Sequence, residues 1–128
     1  MKRILIDTNI YSYALRGIPD VINTIQKANE ICISSISIGE LLFGFKNGSR
    51  EQEMREELEV FLDAPRVQIR YIDETTAEFY ADILTLLRKK GKPIPTNDIW
   101  IAAVAFQHGL KLFSKDRHFD NIPGLICI

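Results

Sequence analysis

The 128-residue chain is 46% hydrophobic and 26% charged, with a formal net charge of -1. That length closes one hydrophobic core and predicts a single domain over residues 1–128. No apolar run approaches the ~20 residues of a membrane span, and the start MKRILID is too short and too soon charged for a signal peptide, so the cytoplasm is the expected compartment.

Residues 3–6 form a short aliphatic run bounded by polar residues, the pattern of a buried strand. A helix is expected from Thr8 to Arg16, stopped by Gly17, and a second after Pro19, capped by Asp20 and carrying Val21, Ile22 and Ile25 inward. "EICISS" is the second strand. Ser34, Ser35 or Ser37 can cap the helix "ISIGELLFGF", whose Ile38, Leu41, Leu42 and Phe45 have the spacing of a core face. Ser49 and Gln52 stand in capping-box register before a densely charged helix, whose charges read as a solvated face.

"RVQIRYI" is the third strand. Asp73 caps a long helix with Phe79, Ile83, Leu86 and Leu87 inward, ending in "RKKGKP". Thr96 is expected to cap "NDIWIAAVAFQH", where Ala102, Ala103 and Ala105 allow close packing on a sheet, and "KLFS" and "LICI" complete the strands. Strands alternating with helices predict an α/β sandwich: three layers, with a mostly parallel sheet of about five strands flanked by helices. Cys32 and Cys127 sit in apolar runs without zinc-ligand spacing and read as buried free thiols.

In a parallel sheet, chemistry sits at the C-terminal strand ends. Asp7 ends the first strand, Asp116 follows "KLFS", Asp98 lies in the first turn of a helix, and Glu40 sits on the third helix off its core face. Each alone has an ordinary role as cap, turn or surface charge. Gathered in one pocket they need a counter-charge, because two carboxylates ~4 Å apart repel by about 4 kcal/mol at an effective dielectric near 20. Hard divalent ions such as Mg²⁺ or Mn²⁺ suit an all-oxygen site. They serve phosphodiester hydrolysis by acidifying water and offsetting charge on phosphate. No GxSxG elbow or Cys–His arrangement offers a side-chain nucleophile. The net charge is far from that of a protein that coats duplex DNA, so any nucleic-acid contact is local or uses the ion's charge.

"IDTNI", "SISIGELLFG", "TNDIWIAAVA" and "FSKDRHFDNIPGL", in that order, resemble the PIN-domain ribonucleases, and more narrowly the VapC toxins of toxin–antitoxin pairs. The resemblance covers essentially the whole chain. It implies a PIN-like fold and an endoribonuclease requiring Mg²⁺ or Mn²⁺. Asp7, Asp98 and Asp116 would be the main ligands, and Glu40 would hold a second metal or position the attacking water. Asn9 and Ser114 fall on supporting polar positions, with Asn9 orienting Asp7 and Ser114 standing where many relatives have Thr. Thr8 and Asn97 are further candidates beside the metal, Thr8 equally reading as a first-turn helix residue.

Arg117, His118 and Lys115 are candidate contacts to RNA phosphates, each with a reading as surface or local packing. Trp100, about 200° around the helix from Asp98, suits burial or an interface better than base stacking. The resemblance also implies a VapB-like antitoxin that blocks the pocket, homodimers and higher toxin–antitoxin assemblies, DNA contact only through the antitoxin, and transfer RNA rather than ribosomal RNA as the better guess for substrate. Apolar faces at Ile10, Tyr11, Tyr13, Leu15 and Phe61 could form a groove for that partner or belong to the core. A dehalogenase-like phosphatase would want a second Asp where Asn9 stands, and a non-catalytic module, whether a phospho-accepting receiver or a degenerate PIN domain that only binds, is disfavoured because all four acidic positions are filled.

Overall fold

The computed structural model describes residues 2–128. Ten helices and strands follow in order: β1 (Arg3–Ile6), α1 (Thr8–Leu15), α2 (Pro19–Lys27), β2 (Glu30–Ser34), α3 (Ser35–Lys46), α4 (Glu51–Leu62), β3 (Val67–Arg70), α5 (Glu74–Lys90), α6 (Thr96–His108) and β4 (Lys111–Phe113). A 3₁₀ turn over Arg117–Asn121 comes last. The four strands are all parallel, in the order β3-β2-β1-β4.

The sheet has four strands rather than the five expected. "LICI" is too short and too interrupted to run as a strand: it makes one parallel bridge, Leu112 to Cys127. Leu112 and Ser114 donate to the carbonyls of Ile126 and Ile128, and Ile128 donates back to Leu112.

Side chains alternate across the pleat, so the central strands feed two cores. Leu5, Cys32 and Leu112 pack with α5 and α6, while Ile4, Ile6, Ile31, Ile33 and Phe113 pack with α1, α2, α3 and α4. These are the three layers. On α6, five consecutive residues from Ile101 to Ala105 are buried, three of them alanines. Small side chains there bring the helix axis close to its neighbours, which fixes where its N-terminal turn lies. Trp100 stacks on Tyr80 of α5 with ring centroids 4.0 Å apart, and Leu86, expected inward, is 40% exposed because it falls on the outer edge of the α5 stripe. Of the expected α3 face, Leu41 and Phe45 are buried and Ile38 and Leu42 partly so. Cys32 is buried and Cys127 half-buried, and neither forms a disulfide.

Caps separate the legible helix starts from the others. Ser34 accepts from Ser37 N–H, and Asp73 forms a capping box with Thr76 that also takes Gln107 of α6. α2 starts at Ile18, with Pro19 in its first turn and Asp20 one residue inside, so the proline rather than the carboxylate sets the start. α4 is capped by Arg50 without a side-chain bond, leaving Ser49 outside the helix, and α6 is capped by Pro95, leaving Thr96 as its first residue. Gly91 and Gly109 close α5 and α6 at φ 65° and 63°, a conformation glycine adopts without Cβ strain. In urea denaturation, Asp73→Ala is expected to cost about 1 kcal/mol and Ser49→Ala to stay within about 0.5 kcal/mol of wild type. Equal losses would contradict this assignment of the caps.

Candidate metal centre

From β1 the chain builds outward to β2 and β3, then returns to place β4 on the other side of β1. The strand order therefore reverses between β1 and β4, and a crevice opens beyond their C-terminal ends. Asp7 leaves β1 there, and Ser114 and Asp116 leave β4.

Asp7 is 5% exposed. One of its oxygens accepts from Ile10 N–H at 3.0 Å, capping α1, and the other accepts from the Ser114 hydroxyl. The cap explanation and the site explanation thus hold together, one oxygen for each. Asn9, expected to orient Asp7, instead faces the pocket that Asp7, Tyr13, Lys115, Asp116 and Arg117 also line. The orienting hydroxyl comes from Ser114, whose Oγ also accepts from Asp116 N–H at 2.9 Å and so ties the two acidic residues together.

Across the crevice, Glu40 of α3 is held from two elements. The Thr8 hydroxyl donates to it at 2.5 Å and Asn97 Nδ2 at 3.3 Å. Thr8 is thus both a first-turn residue of α1 and a contact to the site, with Ser37 Oγ 3.0 Å away. Asp98, one residue beyond Asn97, feels the charges of Glu40 and Asp116, while Asp7 feels those of Asp98 and Asp116. Electrostatic influence thus links all four carboxylates, with Asp98 and Asp116 the closest together and Asp7 and Glu40 on either side.

Burial above all, then the neighbouring carboxylates, pushes Asp7 and Asp98 up from the ordinary range of an aspartate, against the lowering effect of their hydrogen bonds. The crevice is a place where negative charge is costly and a cation is favoured.

His118 takes a position its sequence context did not reveal. Its ring turns into the crevice, with Nε2 on Asp98 and Nδ1 2.9 Å from Asp116. One ligand atom each from Asp98, Asp116 and His118 lies within 4.8 Å of the other two. The mixed donor set and these separations fit a divalent ion. The 3₁₀ turn that aims the ring depends on Asp116 capping His118 N–H, a local geometry that helix and strand periodicity do not report. Arg117 stands at the pocket's edge, its side chain 91% exposed and paired with Asp120, and Lys115 pairs with Asp20 at 2.5 Å.

Asp7→Asn keeps the cap and removes the buried charge, so in metal-free buffer at pH 7 it should raise the melting temperature by about 2–5 °C. Because the native pKa of Asp7 lies above its unfolded value, its ionisation destabilises the fold at neutral pH, and this effect fades as pH falls through the native pKa. The gain should therefore shrink in acid. A thermal scan series showing no gain at pH 7 would refute the burial argument.

Comparison with known proteins agrees with this geometry. A PIN domain family model matches residues 4–125. Ribonuclease VapC2 of Rickettsia felis is 32% identical over 127 residues, covering 95% of this chain and 93% of its own length. The tRNA(fMet)-specific endonuclease VapC of Salmonella typhimurium is 28% identical over 128 residues, covering 98% and 96%. The crystal structure of VapBC2 from Rickettsia felis bound to a DNA fragment from its promoter superposes with a TM-score of 0.88 at 31% identity, covering 98% of this chain and 97% of the matched one. The reversal of strand order, the gathered carboxylates and these matches lead to one assignment: the chain belongs to the PIN-domain family and, within it, to the VapC ribonucleases.

Proposed function

We propose that the protein is a metal-dependent endoribonuclease acting as the toxin of a VapBC-type toxin–antitoxin pair, with residues 1–128 as one nuclease domain in the cytoplasm. The observation that carries this reading is the gathering of Asp7, Glu40, Asp98 and Asp116 around the sheet's switch point, where burial already disfavours the ionised forms of Asp7 and Asp98. No helix among the described residues is long and apolar enough to cross a membrane.

In this reading Asp98 and Asp116 hold Mg²⁺ or Mn²⁺ with Asp7, and Glu40 holds a second ion or aligns the attacking water. When bound, the ion lowers the pKa of that water and offsets the charge that develops on the phosphate. Ser114 keeps Asp7 and Asp116 in register, and Thr8 and Asn97 keep Glu40 turned into the crevice. Asn9 lines the floor between them. Arg117 and Lys115 stand at the rim, where their exposed ion pairs are weak enough to exchange for RNA phosphates. Transfer RNA is the preferred substrate class, supported by the name of the Salmonella relative.

A groove of about 480 Å³ lies between α1, α2 and α4, floored by Ile6, Ile31 and Val67. Tyr11, Leu15 and Phe61 line it, while Ile10 is fully buried and Tyr13 faces the metal pocket instead. Tyr11 packs edge-on against Phe61, and burial pushes its phenol up to about 12. We assign this groove to a VapB-like antitoxin segment, with homodimers and higher assemblies built from such pairs and DNA contacted only through the antitoxin. The VapBC2–DNA complex supports the partnership with a VapB-like antitoxin and the association of such a pair with DNA.

Purified protein should cleave RNA with Mg²⁺ or Mn²⁺, stop with EDTA and resume with added Mn²⁺. Asp98→Asn or Asp116→Asn should lose about 100-fold or more of the rate while keeping the wild-type circular dichroism spectrum. Cleavage that survives both EDTA and these substitutions would remove the proposal. Leu15→Asp and Val60→Asp, at positions 47% and 74% exposed, should weaken binding of the antitoxin encoded beside the toxin by about tenfold and leave cleavage unchanged. Unaltered affinity in a titration would move the partner off this groove.

A further inference from the structure

His118 is the site residue to which the carboxylate reading gives no task. Its ring is 29% exposed and meets two acidic side chains at once, Asp98 through Nε2 and Asp116 through Nδ1. Two features hold it there. Asp116 accepts its backbone N–H at 3.3 Å, and the next residue, Phe119, is 1% exposed in the core and anchors the turn. Neighbouring ligands of an octahedral ion with bonds near 2.1 Å stand about 3 Å apart and opposed ones about 4 Å. One ligand atom from each of Asp98, Asp116 and His118 lies within 4.8 Å of the other two, close enough for small side-chain adjustments to bring all three onto one ion. Asp7 and Glu40 lie outside this tight group, each engaged by its own hydrogen bonds.

We propose that His118 supplies an imidazole nitrogen to the cation held by Asp98 and Asp116, and that this nitrogen turns the site's preference from Mg²⁺ toward first-row transition ions. The inference rests on the metal-nuclease reading and refines it. Mg²⁺ is hard, keeps its waters and gains little from replacing one with a nitrogen. Transition ions bind imidazole well, with affinity rising from Mn²⁺ through Fe²⁺ to Co²⁺. An all-carboxylate site lacks this source of discrimination. Only a neutral ring nitrogen with a free lone pair can serve, so one nitrogen faces the ion and the other donates to a carboxylate, the usual second contact of a ligating histidine.

The full chain, free of RNA and carrying ¹⁵N-labelled histidine, is loaded with Mn²⁺ and read by pulsed electron paramagnetic resonance. A histidine nitrogen coupled to the ion is expected. The other histidine, His108, cannot produce it: it lies at the far end of α6, ten residues and about 15 Å along the helix from Asp98. In calorimetric titrations His118→Ala should lose about tenfold in affinity for Mn²⁺ and Co²⁺ and less than about twofold for Mg²⁺. His118→Asn, which offers oxygen in place of nitrogen, should bind Mg²⁺ as wild type does and show no coupling.

Absence of the nitrogen coupling in wild type, or equal losses for Mg²⁺ and Mn²⁺, overturns the assignment without any need for a folded variant in the first case. If Asp116→Asn abolishes ion binding while His118→Ala changes nothing, His118 alone is misassigned. If wild type binds none of these ions, the metal-nuclease reading falls and this inference with it.

Discussion

Repulsion among carboxylates gathered in one half-dry crevice is the constraint around which this protein is arranged. Nothing in the folding of β1 or α6 calls for it: Asp7 and Asp98 would be more comfortable in water, and burial raises the pKa of both. The chain tolerates the strain because the groups that create it are also tied into the scaffold. Asp7 caps α1, Asp116 caps the 3₁₀ turn, and Glu40 holds Thr8 and Asn97. Each carboxylate gives one set of contacts to the fold and keeps negative charge turned to the crevice.

The scaffold makes this possible through strand order. Parallel strands place all their C-terminal ends on one side, and the return of the chain to β4 puts residues 7 and 114 side by side although 107 positions separate them. The alanine-rich middle of α6 then sets the distance at which Asp98 approaches from the second layer. Two helices and two strands contribute, so no single loop movement assembles or disperses the group. Preorganisation of this kind lets a site hold a metal without first ordering its ligands.

Legibility in the sequence followed locality. Asp7 and Asp116 could be read from their own neighbourhoods, as acids at or just beyond the ends of strand-like runs, and Asp73 and Ser34 from their capping patterns. Asp98 and Glu40 could be singled out from their helix positions, but the family resemblance was needed to give them a role, because each is an ordinary helical acid until the tertiary structure turns it inward. Two signals misled. Asp20 and Thr96 looked like caps, but the prolines beside them fix the backbone one or two residues earlier. The run "LICI" looked like a strand and is a single bridge, since Pro123 and Gly124 leave too little length to pair. His118 was legible only as a candidate RNA contact, not as a neighbour of the carboxylates, because its direction is decided by a tight turn and by Phe119 sinking into the core, neither of which leaves a periodic trace.

That lone bridge matters beyond its size. β4 is the outermost strand on its side, and Ile126 and Ile128 occupy hydrogen-bonding groups on its margin that would otherwise invite a strand from another molecule. Ile128 of this segment also holds Ser114 through its amide, and Ser114 holds Asp7 through its hydroxyl. Protection against sheet-to-sheet aggregation and alignment of the reactive crevice are thus delegated to one short stretch of backbone, so a fusion or a cut near residue 128 touches both colloidal behaviour and chemistry at once.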